Sequence, residues 1–226
     1  MKLPGNFSGV PRRRLLAAAL PLLATAAAGC GSLSGSLRGD APAHVYYELD
    51  DLGSAPPSSG GARLEQRLLV AGLSGSMLYD SVGMAYSRAP GARSYYQFAS
   101  WSEQPAQRLT RLATRRLAAM QVFRDVAGVT GAVRADWLLE LQLHQMYHDD
   151  LKPPGSAHIE VLAELIDWRE RQVLSRRDFS VREPLEQENA AAAAAAFNRA
   201  LTRLLDELGG WVVAQGGAAA QGGAAR

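Results

Sequence analysis

Two stretches of this chain alternate apolar and polar side chains one residue at a time, and nothing else in it restricts the fold as strongly. In the first, Trp137, Leu139, Leu141 and Leu143 point one way, with Glu140, Gln142 and His144 opposite. In the second, Ile159, Val161, Ala163 and Leu165 repeat the pattern against Glu160 and Glu164. A period of two puts every second side chain on the same face of a strand. One apolar and one polar face is the mark of antiparallel strands covered on one side only. Val173, Phe179 and Val181 predict a third such strand, joined to the second by a tight connection at residues 167–171.

The cover is expected to be helical. Leu109, Leu112, Ala113, Leu117 and Met120 recur at helical spacing behind Pro105, which suits a first turn where a missing N–H is harmless. Arg108, Arg111 and Arg115 fall on the wet side and read as a solvated face, with a partner or lipid-headgroup face as the alternative. Phe197, Leu201, Leu204, Leu205 and Leu208 form a second apolar stripe, entered through the alanine run 190–196 and expected to weaken or end at Gly209-Gly210. Shorter strands are predicted at residues 44–50, from Arg67 toward Tyr79, and on either side of the Pro90-Gly91 turn. The fold class is α/β of the α+β type: a curved, mostly antiparallel sheet with two helices packed on one face.

The first thirty residues read differently. Lys2 and Arg12-Arg13-Arg14 precede an uncharged Leu/Ala run at residues 15–28, shorter than the ~20 apolar residues a helix needs to cross a bilayer. Ala27-Ala28-Gly29-Cys30 then has the form of a lipobox, in which the thiol is acylated before cleavage; a plain Ala-x-Ala signal peptide is the alternative. Cys30 is the single cysteine among 226 residues, so no internal disulfide is available to it. The organisation read from this is a signal peptide (1–29), a lipidated cysteine with a Gly/Ser tether (30–43), one folded domain (44–214) and a disordered Gln/Gly/Ala tail (215–226). Without residues 1–29 the chain holds 20 Lys and Arg against 22 Asp and Glu, which leaves no basic field for nucleic acid.

The candidates for chemistry are weak. His144, His148, Asp149 and Asp150 invite a metal reading. Gln145 replaces the glutamate of an HExxH motif, and in a strand both histidines would face solvent, so a loop-edge cluster is the simpler expectation. Gly72-Leu73-Ser74-Gly75-Ser76 lacks the closing glycine of a nucleophile elbow and reads as a bulged or bent strand. Asp50-Asp51 reads as a turn at a strand end. No catalytic, cofactor-binding or metal-binding residue is assigned, and no enzyme is expected. The one assigned site is lipidation at Cys30. Tyr46, Tyr86 and Trp101 are candidates for partner contact, with core packing preferred.

The order of features resembles the ABC-type transport auxiliary lipoprotein family, the lipoprotein partner of MCE and paraquat-inducible type lipid transport systems. The resemblance is carried by Tyr46-Tyr47-Glu48-Leu49-Asp50 after the lipobox, and by Met84-Ala85-Tyr86-Ser87 before Tyr95-Tyr96-Gln97-Phe98. It continues through Trp101 leading to Pro105, Trp137-Leu138-Leu139-Glu140-Leu141, and the segment from Val173 to Phe179. Ser87 intervenes where the family's tyrosine is followed directly by arginine. The resemblance spans residues 44–213. It implies a non-catalytic periplasmic lipoprotein, anchored to the outer rather than the inner membrane and free of cofactors. Its implied partners are an MCE substrate-binding protein and an ABC permease; self-association is left open. The alternative is an envelope-assembly lipoprotein that partners a β-barrel.

Overall fold

The computed structural model describes residues 42–53, 63–129 and 134–223; Cys30 and the proposed signal peptide lie outside them. Eight strands and two helices are found among the described residues. In order they are β1 (Val45–Tyr47), β2 (Leu64–Ser74), β3 (Gly83–Ser87), β4 (Ser94–Trp101), α1 (Pro105–Ala119), β5 (Phe123–Gly128), β6 (Trp137–Asp149), β7 (Ser156–Asp167), β8 (Gln172–Pro184) and α2 (Ala190–Gly223). A 3-10 turn, Met77–Tyr79, joins β2 to β3.

Strand β6 organises the sheet. On one side it pairs antiparallel with β7, and β7 with β8, which makes the long three-stranded meander expected from the alternation. On its other side two strands share its length, both parallel to it. β2 takes Trp137 to Leu143, and β3 takes His148 and Asp149. β5 extends the sheet beyond β2 in parallel; β4 pairs antiparallel with β3, and β1 runs parallel to β4 at the far edge. The sheet is therefore mixed. Its longest ladders are antiparallel, and each of its parallel pairs, β1 with β4, β2 with β5, and β2 and β3 with β6, joins strands separated in the chain by other elements. Strand β5 has no counterpart in the sequence reading, because only Phe123 and Val126 in it are large and apolar.

Both helices cover the same face. α1 lies over β2 and β5, α2 over β7 and β8, and the two helices touch. Between them and the sheet, Val70, Leu139 and Leu165 form one fully buried cross-strand row. Phe179 and Val181 complete the layer under Phe197, Leu201, Leu204 and Leu208. The apolar residues assigned to the two helical stripes are buried here except Met120, which is half-buried. Gly72 lies in a straight stretch of β2: a Cβ there would meet Thr110 Oγ1 at 1.7 Å, so the residue is small because α1 presses against the strand.

α2 departs from the sequence reading. Asn189 caps its start, its side chain accepting from Ala192 N at 2.8 Å. The helix then runs through Gly209-Gly210 to Gly223, past the expected break and into the segment read as a tail; residues 224–226 lie outside the description. The helix continues because it remains docked. Trp211 packs edge-on against Phe179, Val212 is fully buried, and Gly216 sits where a Cβ would come within 2.8 Å of Leu64 and 3.3 Å of Trp137. Burial of that face outweighs the ~1 kcal/mol per residue that glycine costs a helix.

Candidate docking surface

The histidine cluster is structural. His144 is unpaired at a bulge between Leu143 and Gln145, and this extra residue turns the rest of β6 over. His148, expected on the solvated face, is driven inward and is 0 % exposed. Pro154 O can only accept, so His148 Nε2 donates to it at 2.8 Å and Nδ1 accepts from the Tyr96 hydroxyl at 2.7 Å. Burial, reinforced by the charge of Asp150, pushes Tyr96 up to about 12, which keeps that hydroxyl a donor. Both ring nitrogens are committed to hydrogen bonds. Asp150 binds Arg88 at 2.7 Å and Asp149 binds Arg182 at 2.8 Å, so the acids brace the turn after β6 rather than converge on a metal. Although Ser87 displaces Arg88 by one position, its guanidinium still lies over the Tyr86 ring, 5.0 Å from the centroid.

The Gly72–Ser76 segment is equally structural. Ser74 Oγ donates to Ser76 O at 2.7 Å, and Ser76 Oγ accepts from Leu78 N to cap the 3-10 turn. The His144 ring lies against Gly75 between the two serines, yet among the described residues it makes no hydrogen bond to either hydroxyl.

The arginines of α1 do more than face water. The segment after β1 crosses both helices as a strap. Leu49 is buried and its carbonyl accepts from Arg108 Nε at 2.7 Å. Asp50 N and Leu52 N donate to Asn198 and Thr202 of α2 at 2.9 and 2.8 Å, and Arg115 reaches Asp50 at 3.4 Å. Asp51, read as a turn residue, is instead buried against Arg116, whose Nε donates to it at 2.9 Å while a second guanidinium nitrogen binds Asp206. Burial alone would raise the Asp51 pKa, but the Arg116 hydrogen bond and the Gly53 amide outweigh it and hold the carboxyl below its ordinary range. Nothing in the helical period of α1 singled out Arg116, because its partners arrive from residues 51 and 206.

Of the three aromatic candidates, Trp101 is core, edge-on to Phe197, and Tyr86 is half-buried. Tyr46 departs from the preferred core placement: it is 65 % exposed at the sheet edge, in a ring contact with His44. Among the described residues β1 has no second neighbour strand to cover it.

The chain that forms this mixed sheet under two helices, with the segment after β1 strapped across them, matches a known family model. The model for the ABC-type transport auxiliary lipoprotein component covers residues 47–209. The chain belongs to that family. Among solved structures, protein XCC0632 from Xanthomonas campestris is similar at 26 % identity and a TM-score of 0.72, over 78 % of this chain and 99 % of that one. A second, uncharacterised protein shares the fold at 11 % identity and a TM-score of 0.59, over 75 % of this chain and 99 % of its own. No curated protein matches significantly. In this ABC-type transport auxiliary lipoprotein the matched region starts at the end of β1 and stops at Gly209 of α2, so it takes in the strap, all of α1 and the first part of α2, while the docked turns beyond Gly209 lie past it.

Proposed function

We propose that this protein is a non-catalytic periplasmic lipoprotein, held by acyl chains on Cys30, that assists an ABC and MCE-type transporter in moving lipids between the inner and outer membranes. The observation that carries the reading is a transport-auxiliary domain at residues 47–209 closely behind the lipobox cysteine. No helix among the described residues is long and apolar enough to cross a membrane, so an acyl anchor would supply the attachment. Each buried methylene contributes about 0.8 kcal/mol, and two or three chains hold a protein firmly. Outer-membrane placement is the preferred location, consistent with Gly31 rather than an aspartate after the cysteine.

Two measurements test this. Affinity purification from intact envelopes should recover an MCE protein and an ABC permease; recovery of a β-barrel alone would favour the envelope-assembly alternative. Cys30→Ala should release the protein from membranes and abolish its contribution to the permeability barrier while the domain keeps its circular dichroism spectrum. Full complementation by the released form would refute a role for the anchor.

A further inference from the structure

The exposed apolar side chains of the domain are not scattered evenly. A group of them lies at one corner, on the sheet face opposite the helices. Ala99 and Trp101 of β4 point into the core, so Ser100 between them points away from it. Tyr46 pairs with Ser100 across one side, and Gly83 pairs with it across the other. The Tyr95 ring lies on Gly83, where a Cβ would come within 2.5 Å of it, and its hydroxyl donates to Leu78 O at 2.6 Å. Tyr46, Ser100 and Tyr95 thus form a continuous row. Phe98, on β4 between Tyr95 and Ser100 where the pairing with β3 is irregular, and Met77, next to Leu78, border it; exposures are 65 % for Tyr46, 42 % for Tyr95, 41 % for Phe98 and 93 % for Met77.

The chain toward Cys30 leaves the domain inside this row. His44 is in ring contact with Tyr46 and its Nε2 lies 3.0 Å from Ser100 Oγ. Fourteen positions separate His44 from Cys30, a span of at most about 50 Å even if drawn out fully. An anchor at Cys30 therefore holds this corner at high effective concentration near the lipid that carries it. Tyrosines are favoured at bilayer interfaces, where the ring meets acyl chains and the hydroxyl meets headgroups, and peripheral binding grows with the apolar area inserted.

We propose that the Tyr46–Tyr95–Phe98–Met77 row rests on the phospholipid surface that holds Cys30, so that the domain is oriented on the membrane rather than swinging freely from its tether. The inference rests on the lipid-anchor reading of Cys30. It fixes which way the helices face: with the row on lipid, α1 and α2 point away from the membrane and are open to the transporter.

The test uses the full lipidated chain in phosphatidylethanolamine/phosphatidylglycerol vesicles, with an environment-sensitive dye on Phe98→Cys or, in a second variant, Tyr46→Cys. The control dye sits on Arg203→Cys, exposed on α2. Doxyl-labelled lipid should quench the dyes at 98 and 46 strongly and the dye at 203 little, with blue-shifted emission at the first two. Equal quenching at all three positions, with the protein still floating with vesicles, overturns the orientation and leaves the anchor intact. Failure to float removes the anchor and the orientation together. Protection at 98 and 46 that appears only when a protein partner is added also overturns it, because the occupant is then that partner.

Discussion

Removing the Arg116 guanidinium should unfasten the strap between β1 and the helices. Arg116→Met keeps the apolar stem and deletes the charge. Asp51, 5 % exposed at its side chain, is then left with the Gly53 amide at 3.0 Å and no cation, whereas Asp206, 58 % exposed, simply returns to water. The loss on the Asp206 side is accordingly under about 1 kcal/mol. The loss on the Asp51 side is that of a buried ion stripped of its partner, about 3–5 kcal/mol. Against a typical domain stability of about 5–15 kcal/mol that is a large fraction. Urea unfolding followed by tryptophan fluorescence measures it, and adding Asp51→Asn to the variant should recover much of the loss by removing the stranded charge. The pH dependence supplies a second check. The folded pKa of Asp51 lies below its unfolded value, so its stabilisation is complete above about pH 4 and is lost as pH falls through the folded pKa. The gap between wild type and Arg116→Met should therefore narrow on acidification, first as the stranded Asp51 of the variant takes up a proton and then as the wild-type pair is lost. A gap that stays constant with pH, or a double variant no better than the single one, would refute the charge argument and leave only packing.

Three further substitutions probe other elements. Gly210→Ala has open space around its new methyl group and should stabilise α2 by about 1 kcal/mol in thermal unfolding. Gly216→Leu should do the reverse, because its side chain would collide with Leu64 and Trp137; a loss of about 1–3 kcal/mol is expected, together with weaker hydrogen-exchange protection in the last turns of α2. His158 is buried on the open sheet face beside Glu160, and burial, with the nearby charge of Arg182, pushes its pKa down. Its unfolded form takes up the proton first, so stability should decline as pH drops below about 6.5 toward the folded pKa, and His158→Gln should flatten that slope in denaturation curves collected across the range.

How much of the fold was legible varied with how local its cause is. The strands of the meander and helix α1 follow from alternation, helical spacing and Pro105, all read within a single segment. The order of motifs from Tyr46 to Phe179 was enough to place the chain in its family, although no single motif is distinctive. Strand β5 carries little local signal because its reason for existing is β2, about sixty residues earlier in sequence. Alternation alone puts His148 on the solvated face, but one unpaired residue, His144, reverses it, and a bulge leaves no mark in composition.

The sequence by itself determined the α+β class, the apolar faces of sheet and helices, and Cys30 as the one candidate for modification, because side-chain periodicity and a short targeting pattern are local properties. Only the tertiary structure decided that β2 and β3 share one edge of β6, that α2 passes unbroken through Gly209-Gly210, that Asp51 and Asp206 meet on Arg116, and that Tyr46 is an exposed edge residue. Each of those outcomes is set by burial and pairing between residues far apart in the chain, where the contact free energy outweighs what the local segment prefers.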